Sequence, residues 1–157
     1  MPGTLVDSNV LLDIFTEDAT WLEWSNEALG AAAEAGPLYI NPVIYAEVSV
    51  RFSRIEDLED ALPRADFRRA ALPWPAAFLA GKAFVSYRRA RGTAGTPLPD
   101  FFIAAHAAVA DLALLTRDTR RYRTYFPSVR LVSPEGSGPL PSGVDYLRVK
   151  YTSTSDP

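Results

Sequence analysis

Thr4-Leu5-Val6-Asp7-Ser8-Asn9-Val10-Leu11-Leu12 changes period in mid-stretch. Its first three residues are a short apolar run, as expected of a strand buried on both faces in a parallel sheet. From Val10 onward, Leu11, Leu12, Ile14 and Phe15 continue with the spacing of one helix face. A carboxylate, Asp7, sits at the join. Strand, acid, helix is the unit from which an open α/β sheet with a site at the strand ends is built.

The same unit recurs along the chain. Leu38-Tyr39-Ile40 reads as a strand, Asn41 as a helix N-cap and Pro42 as the first helical residue. That helix is expected to run through Val43, Ile44, Ala46, Val48 and Val50 to about Ser53, with Glu47 inside it. Leu112 to Leu115 reads as a strand with Thr116-Arg117-Asp118 directly behind, and Val129 to Val132 as a last strand. Helices are expected at about Thr20 to Ala35, stopped by Gly36-Pro37, at Ile55 to Leu62, stopped by Pro63, and from Pro75 to about Arg91. Asp100 is expected to open a further helix packed through Phe101, Ile103, Ala104, Ala107 and Ala108, and the stretch from Pro63 to Pro75 to be irregular. Strands alternating with helices imply right-handed crossovers. The expected fold is α/β, one domain with a central, mainly parallel sheet flanked by helices on both faces. It spans residues 1–134, with 135–157 a C-terminal extension of turn residues, one apolar patch and a Thr/Ser-rich end.

Composition narrows the function. There are no cysteines, so disulfides and thiolate metal sites are excluded. No basic start leads into an apolar signal core and no apolar run is long enough to span a bilayer, so a cytoplasmic protein with no membrane partner is expected. The net charge is −3 and the isoelectric point about 5.2, which alone speaks against a nucleic-acid binder. The distribution speaks the other way. Lysine occurs only at positions 82 and 150, so nearly all of the 16 basic residues are arginine. They gather at Arg88, Arg89 and Arg91 and again at Arg117, Arg120, Arg121 and Arg123. Arginine grips phosphate through a planar fork of donors, although such runs also serve as solvated faces.

The acids fall at telling places. Asp7 ends the first strand, Asp118 follows a later one, Glu47 lies in the helix after the second strand, and Asp100 stands at a helix start. All four can reach one edge of one sheet. Carboxylates brought together repel and need protons or a cation, and an all-oxygen set suits Mg²⁺ or Mn²⁺. Such an ion lowers the pKa of its water and steadies charge developing on a phosphodiester. Each acid also has a plain role open to it. Asp7 and Asp100 would serve as helix N-caps, Asp118 in a turn or surface ion pair, and Glu47 facing water or paired with Arg51. Asn9 and Thr116 are placed to hold the carboxylates, or to cap backbone locally. His106 is the only histidine, about 120° around an ideal helix from Asp100, so a two-histidine ribonuclease mechanism is excluded within one chain. Tyr122, Tyr125 and Phe126 have the spacing of core residues and the chemistry of base-stacking ones.

Four segments in order resemble the motifs of PIN-domain ribonucleases: Leu5-Val6-Asp7-Ser8-Asn9, Asn41 to Glu47, Pro99 to Ala107, and Leu114-Leu115-Thr116-Arg117-Asp118. The likeness runs from about Thr4 to Pro134. It is strongest to the VapC toxins of type II toxin–antitoxin pairs. The resemblance implies a Mg²⁺- or Mn²⁺-dependent endoribonuclease. It further implies a homodimer, joined by a cognate VapB-type antitoxin into a heterotetramer or larger. Asp7, Glu47, Asp100 and Asp118 match the four acidic positions, none of them replaced, and Asn9 and Thr116 match accompanying polar ones. Arg117, Arg120 and Arg121 are the expected phosphate contacts for RNA. Three other functions share these features: a PIN nuclease of RNA processing, a non-catalytic binding protein, and a phosphoacceptor module. The last needs a lysine at the end of a late strand, where this chain has none.

Overall fold

The structure, a computed structural model, describes residues 3–91 and 98–135, the side chains of Arg91 and Arg121 excepted. In chain order the elements are β1 (Thr4–Val6), α1 (Ser8–Phe15), α2 (Leu22–Ala35), β2 (Leu38–Ile40), α3 (Pro42–Ser49), α4 (Ile55–Ala61), β3 (Phe67–Arg69), α5 (Trp74–Arg91), α6 (Leu98–Ala110), β4 (Ala113–Leu115), α7 (Arg120–Tyr125) and β5 (Leu131–Val132). The strands form one sheet in the order β3-β2-β1-β4-β5, parallel throughout. From β1 the chain steps outward to β2 and β3, then returns to the other side of β1 for β4 and β5. Right-handed crossovers in opposite directions put α1 to α4 on one face and α5 to α7 on the other. The direction reverses between β1 and β4, and at such a switch point the helices diverge and leave a crevice at the strand ends.

The inner strands are as dry as their sequences require. Leu5, Val6, Ile40, Leu114 and Leu115 are fully buried. Val6 pairs with Leu115, so Asp7 and Thr116 leave the sheet side by side, and the Asp7 amide still donates to the Leu115 carbonyl at 2.9 Å.

Asn41 caps α3 as its position predicts: its side-chain oxygen accepts from the Ile44 amide at 2.9 Å, and Pro42 occupies the first turn. With that oxygen engaged, the Asn41 amide nitrogen is the donor in its 3.1 Å contact with His106 Nδ1. The His106 proton therefore sits on Nε2, and burial holds its pKa below the usual value. His106 joins α6 to the β2–α3 junction and is structural. Asn41→Ala is expected to remove the cap and orphan this buried nitrogen, costing about 2–3 kcal/mol in urea unfolding. A loss under about 0.5 kcal/mol would mean the junction is held by packing alone.

Several expectations are corrected. Phe67–Arg69, expected to be irregular, is β3; as an edge strand it buries only Phe67 fully, and so shows no apolar run. α3 ends at Ser49, short of Ser53, and the last strand begins at Leu131 rather than Val129. Helix α6 begins at Leu98, so Asp100 lies within its first turn and is not its cap. Pro99 is tolerated there because first-turn amides lack partners within the helix. Glu135, expected to start the extension, accepts a 2.9 Å hydrogen bond from Thr119 and so belongs to the domain. The rest of the extension lies outside the described residues. Among the described residues no helix is long and apolar enough to cross a membrane.

Candidate active site

Asp7 is held tightly. It is 3% exposed and is the N-cap of α1, with Oδ1 accepting from the Ser8 amide at 2.8 Å. Oδ2 accepts from Thr116 Oγ1 at 2.8 Å and Tyr122 OH at 3.0 Å, with Asn9 Nδ2 at 3.5 Å. Capping and site-building are thus two uses of one side chain. A carboxylate oxygen carries about two lone-pair positions. Oδ2 has both filled, and Oδ1 lies 3.4 Å from Ser8 Oγ, whose single proton Glu47 Oε1 also meets at 3.0 Å.

Thr116 Oγ1 has a single proton. At 2.8 Å it goes to Asp7, and the same oxygen accepts from the Asp118 amide and from Asn9 Nδ2, each at 3.2 Å. One buried hydroxyl therefore ties the end of β4 to the end of β1. Glu47 reaches this group from α3, with Oε1 accepting from Ser8 Oγ at 3.0 Å. Asp100 approaches from the first turn of α6. Asp118 is half exposed, and its Oδ1 meets the Arg120 amide at 3.3 Å and Arg120 Nε at 3.8 Å.

All four predicted acids, together with Ser8, Asn9, Arg117 and Tyr122, line a single cavity of about 270 Å³. Among the described residues no three acidic or histidine side chains stand in an arrangement that would by itself hold a metal ion. The acids ring the cavity rather than close on a point. Their electrostatics reflect that crowding. Burial, with repulsion from Asp100, raises the Asp7 pKa to about 6 despite the donors from Thr116, Tyr122 and Ser8. Burial, with repulsion from Asp7 and Asp100, raises Glu47 to about 7. Burial first, and then the charge of Asp7, drives Tyr122 upward, so its hydroxyl stays protonated and donates.

The residue model of the PIN domain matches positions 4–127, the whole sheet but β5. The chain belongs to the PIN domain family. PIN domains are nucleases. Three solved structures among those with the same fold are the following. The toxin–antitoxin complex from Klebsiella pneumoniae is 24% identical, covering 84% of this chain and 98% of that one at a TM-score of 0.59. VapBC-1 from nontypeable Haemophilus influenzae is 14% identical, with 83% and 96% covered and a TM-score of 0.62. FitAcB from Neisseria gonorrhoeae is 19% identical, with 85% and 99% covered and a TM-score of 0.59. No curated protein is similar to this PIN domain in sequence at a significant level.

The three arginines expected to meet phosphate fare differently. Arg120 is 90% exposed beside Asp118. Arg121 lies on α7, with its side chain outside the described residues. Arg117 is turned to another use: Nε and Nη2 form a fork on Asp13 at 2.9 and 3.0 Å. Sequence reasoning missed Asp13, Ser8 and the Tyr122 hydroxyl as parts of this site. Asp13 was findable, since an acid flanked by Leu11, Leu12 and Ile14 on a buried helix has to be paired.

Proposed function

We propose that this PIN domain is a divalent-metal-dependent endoribonuclease and the toxin of a VapBC-type pair, a homodimer held in check by a VapB-type antitoxin in a heterotetramer or larger assembly. The observation that carries the reading is the convergence of Asp7, Glu47, Asp100 and Asp118, from four separate elements, on one cavity at the sheet's switch point. The toxin role is supported by the likeness in fold to the toxin–antitoxin complex from Klebsiella pneumoniae and to VapBC-1 from nontypeable Haemophilus influenzae.

The donor set fits Mg²⁺ or Mn²⁺. Mg²⁺ commonly takes one or two carboxylates and completes its shell with water, so a ring of acids around a wet cavity suffices. A buried Asp7 pushed up to about 6 and a half-buried Glu47 pushed up to about 7, by desolvation and neighbouring carboxylates, are the groups a hard cation relieves. Asp7, Asp100 and Asp118 would hold it, with Glu47 at the rim. A bound ion supplies Lewis-acid charge that activates water and steadies the phosphodiester in the transition state. The chain does the rest. Thr116, Tyr122 and the Ser8 amide fix Asp7 in the cavity lining, Ser8 Oγ holds Glu47 beside it, and Arg120 with Arg121 draws the RNA backbone toward the acids.

Purified protein free of any partner should cut RNA with Mg²⁺ or Mn²⁺ and stop in EDTA, and Glu47→Gln should cut poorly under the same conditions. Metal-independent cleavage, or none across a broad panel of structured RNAs, would count against the nuclease reading. Growth arrest on induction, relieved by co-expression of a neighbouring antitoxin, tests the toxin role. Replacing Arg120 and Arg121 by Ala should weaken RNA binding across sequences and lower the slope of log affinity against log salt by about 1 per residue. An unchanged slope would remove both from the RNA path.

A further inference from the structure

Arg117 stands between Thr116, which holds Asp7, and Asp118. A basic residue in that place invites a phosphate-binding role, but its surroundings oppose it. Asp13, on α1, is 2% exposed and accepts from Arg117 Nε, from Arg117 Nη2 and, at 2.8 Å, from Ser25 Oγ of α2. The guanidinium carbon lies 5.5 Å from the centre of the Trp21 ring. The Nε–Nη2 edge and one face are engaged by protein, while the side chain stays 32% exposed at the cavity lining. An edge shared with a buried carboxylate is the geometry arginine holds most firmly.

The backbone of residue 117 is held from the same helix. Its amide lies 3.4 Å from Asn9 Oδ1, and Asn9 and Asp13 are four residues apart on one face of α1. That helix starts at Asp7. One rigid element therefore carries one acid of the cavity at its cap and, through Asn9 and Asp13, grips the residue between Thr116 and another acid. Asp118 is itself half exposed. Its place is set by how its neighbours are tied.

We infer that Asp13 and Arg117 form a positioning pair, which fixes the 116–118 loop against α1 and so sets the separation of Asp7 and Asp118 across the cavity. The inference rests on the metal-nuclease reading for the use made of that separation. It takes Arg117 out of the set of RNA-phosphate contacts expected from sequence.

The test uses the full chain with Mn²⁺ alone as the probe, its affinity read by electron paramagnetic resonance and calorimetry without RNA. Arg117→Lys keeps the charge and loses the fork, and Asp13→Asn loses the acid. Each is expected to weaken Mn²⁺ binding by about 10–100-fold. The double variant should be no weaker than the worse single one, since the two residues act as a unit. In Arg117→Gln, which removes the charge, the salt slope of RNA binding measured in EDTA should match the wild type. Should Asp13→Asn fail to fold, Arg117→Lys carries the test. Unchanged Mn²⁺ affinity in a folded Arg117→Lys overturns the inference. If the salt slope falls by about 1 in Arg117→Gln, Arg117 is a phosphate contact after all. Should the wild type show no saturable Mn²⁺ binding that Asp7→Asn removes, the metal-nuclease reading fails instead. Amide exchange still decides the pair in that case. Faster exchange at 117 and 118 in Arg117→Lys, with α1 still protected, supports the clamp, and unchanged exchange there refutes it.

Discussion

Asp7→Asn is expected to give a protein that has lost RNA cleavage by about 10³-fold or more, yet unfolds at a higher temperature than the wild type when both are free of metal at pH 8. The two effects have one cause. The Asp7 carboxylate is buried, and its pKa is raised from 3.8 to about 6 by that burial and by Asp100. Between those values the folded protein binds more protons than the unfolded chain, so stability falls as pH rises from about 4 to about 6, then stays low. About two pKa units correspond to roughly 3 kcal/mol of destabilisation carried by the ionised side chain at neutral pH. Asparagine removes that charge and can keep most of the contacts. Its oxygen can accept from the Ser8 amide, and its NH₂ can donate to the Tyr122 hydroxyl, which rotates to accept. Thr116 Oγ1, already accepting from the Asp118 amide and Asn9, can turn its proton to the Asp118 carbonyl at 3.2 Å. A gain of about 1–3 kcal/mol at pH 8, shrinking toward pH 4, is the expected signature in thermal or urea unfolding. Mg²⁺ should stabilise the wild type more than the variant by mass action. A variant less stable than wild type at pH 8 without metal would show that the hydrogen bonds to Asp7 outweigh its charge.

Phe101→Ala should cost more stability than any other substitution considered. Phe101 follows Asp100 in α6, is fully buried, and meets Tyr87 of α5, Tyr125 of α7 and Phe126 at ring separations of 5.5–5.6 Å, with Phe84 at 6.4 Å. It is where α5, α6 and α7 meet. Truncation removes the transfer free energy of the ring and leaves a cavity that three helix-borne aromatics cannot close together, at about 3–5 kcal/mol. For a domain of this size that is a fall of roughly 10–15 °C in Tm. Phe101→Leu should recover more than half of the loss, because it refills most of the volume. Cleavage by Phe101→Ala should also fall well below the unfolding temperature, since Asp100 takes its position from the same turn of α6. Full activity in the cold would show that Asp100 is held independently of the aromatic cluster.

The sheet was legible wherever a strand is buried on both faces. Thr4–Val6, Leu38–Ile40 and Ala113–Leu115 show short apolar runs because no side of them meets water, whereas β3 meets it and was lost. Asp7 and Asp118 were legible because each stands just beyond a strand end; Glu47, inside α3, and Asp100, in the first turn of α6, were legible only through their order along the chain. Their hydrogen bonding was not. Asp13 and Arg117 are 104 positions apart, and Tyr122 and Asp7 are 115 apart. Local period carries no information on such pairs. The fork of Arg117 on Asp13 was not legible because a cation beside an acidic site has two natural partners, phosphate or a buried carboxylate, and only the course of α1 brings the second within reach.

A single residue, Asp7, separates β1 from α1. A residue inserted on its strand side would turn the pleat over, and one inserted on its helix side would swing α1 by about 100°. Either error would separate the cap from Thr116 and carry Asn9 and Asp13 away from residue 117. Over evolutionary time such a junction permits exchange of side chains far more readily than any change in length. Lineages of this fold can drift apart letter by letter while the count of letters around the first acid stays fixed.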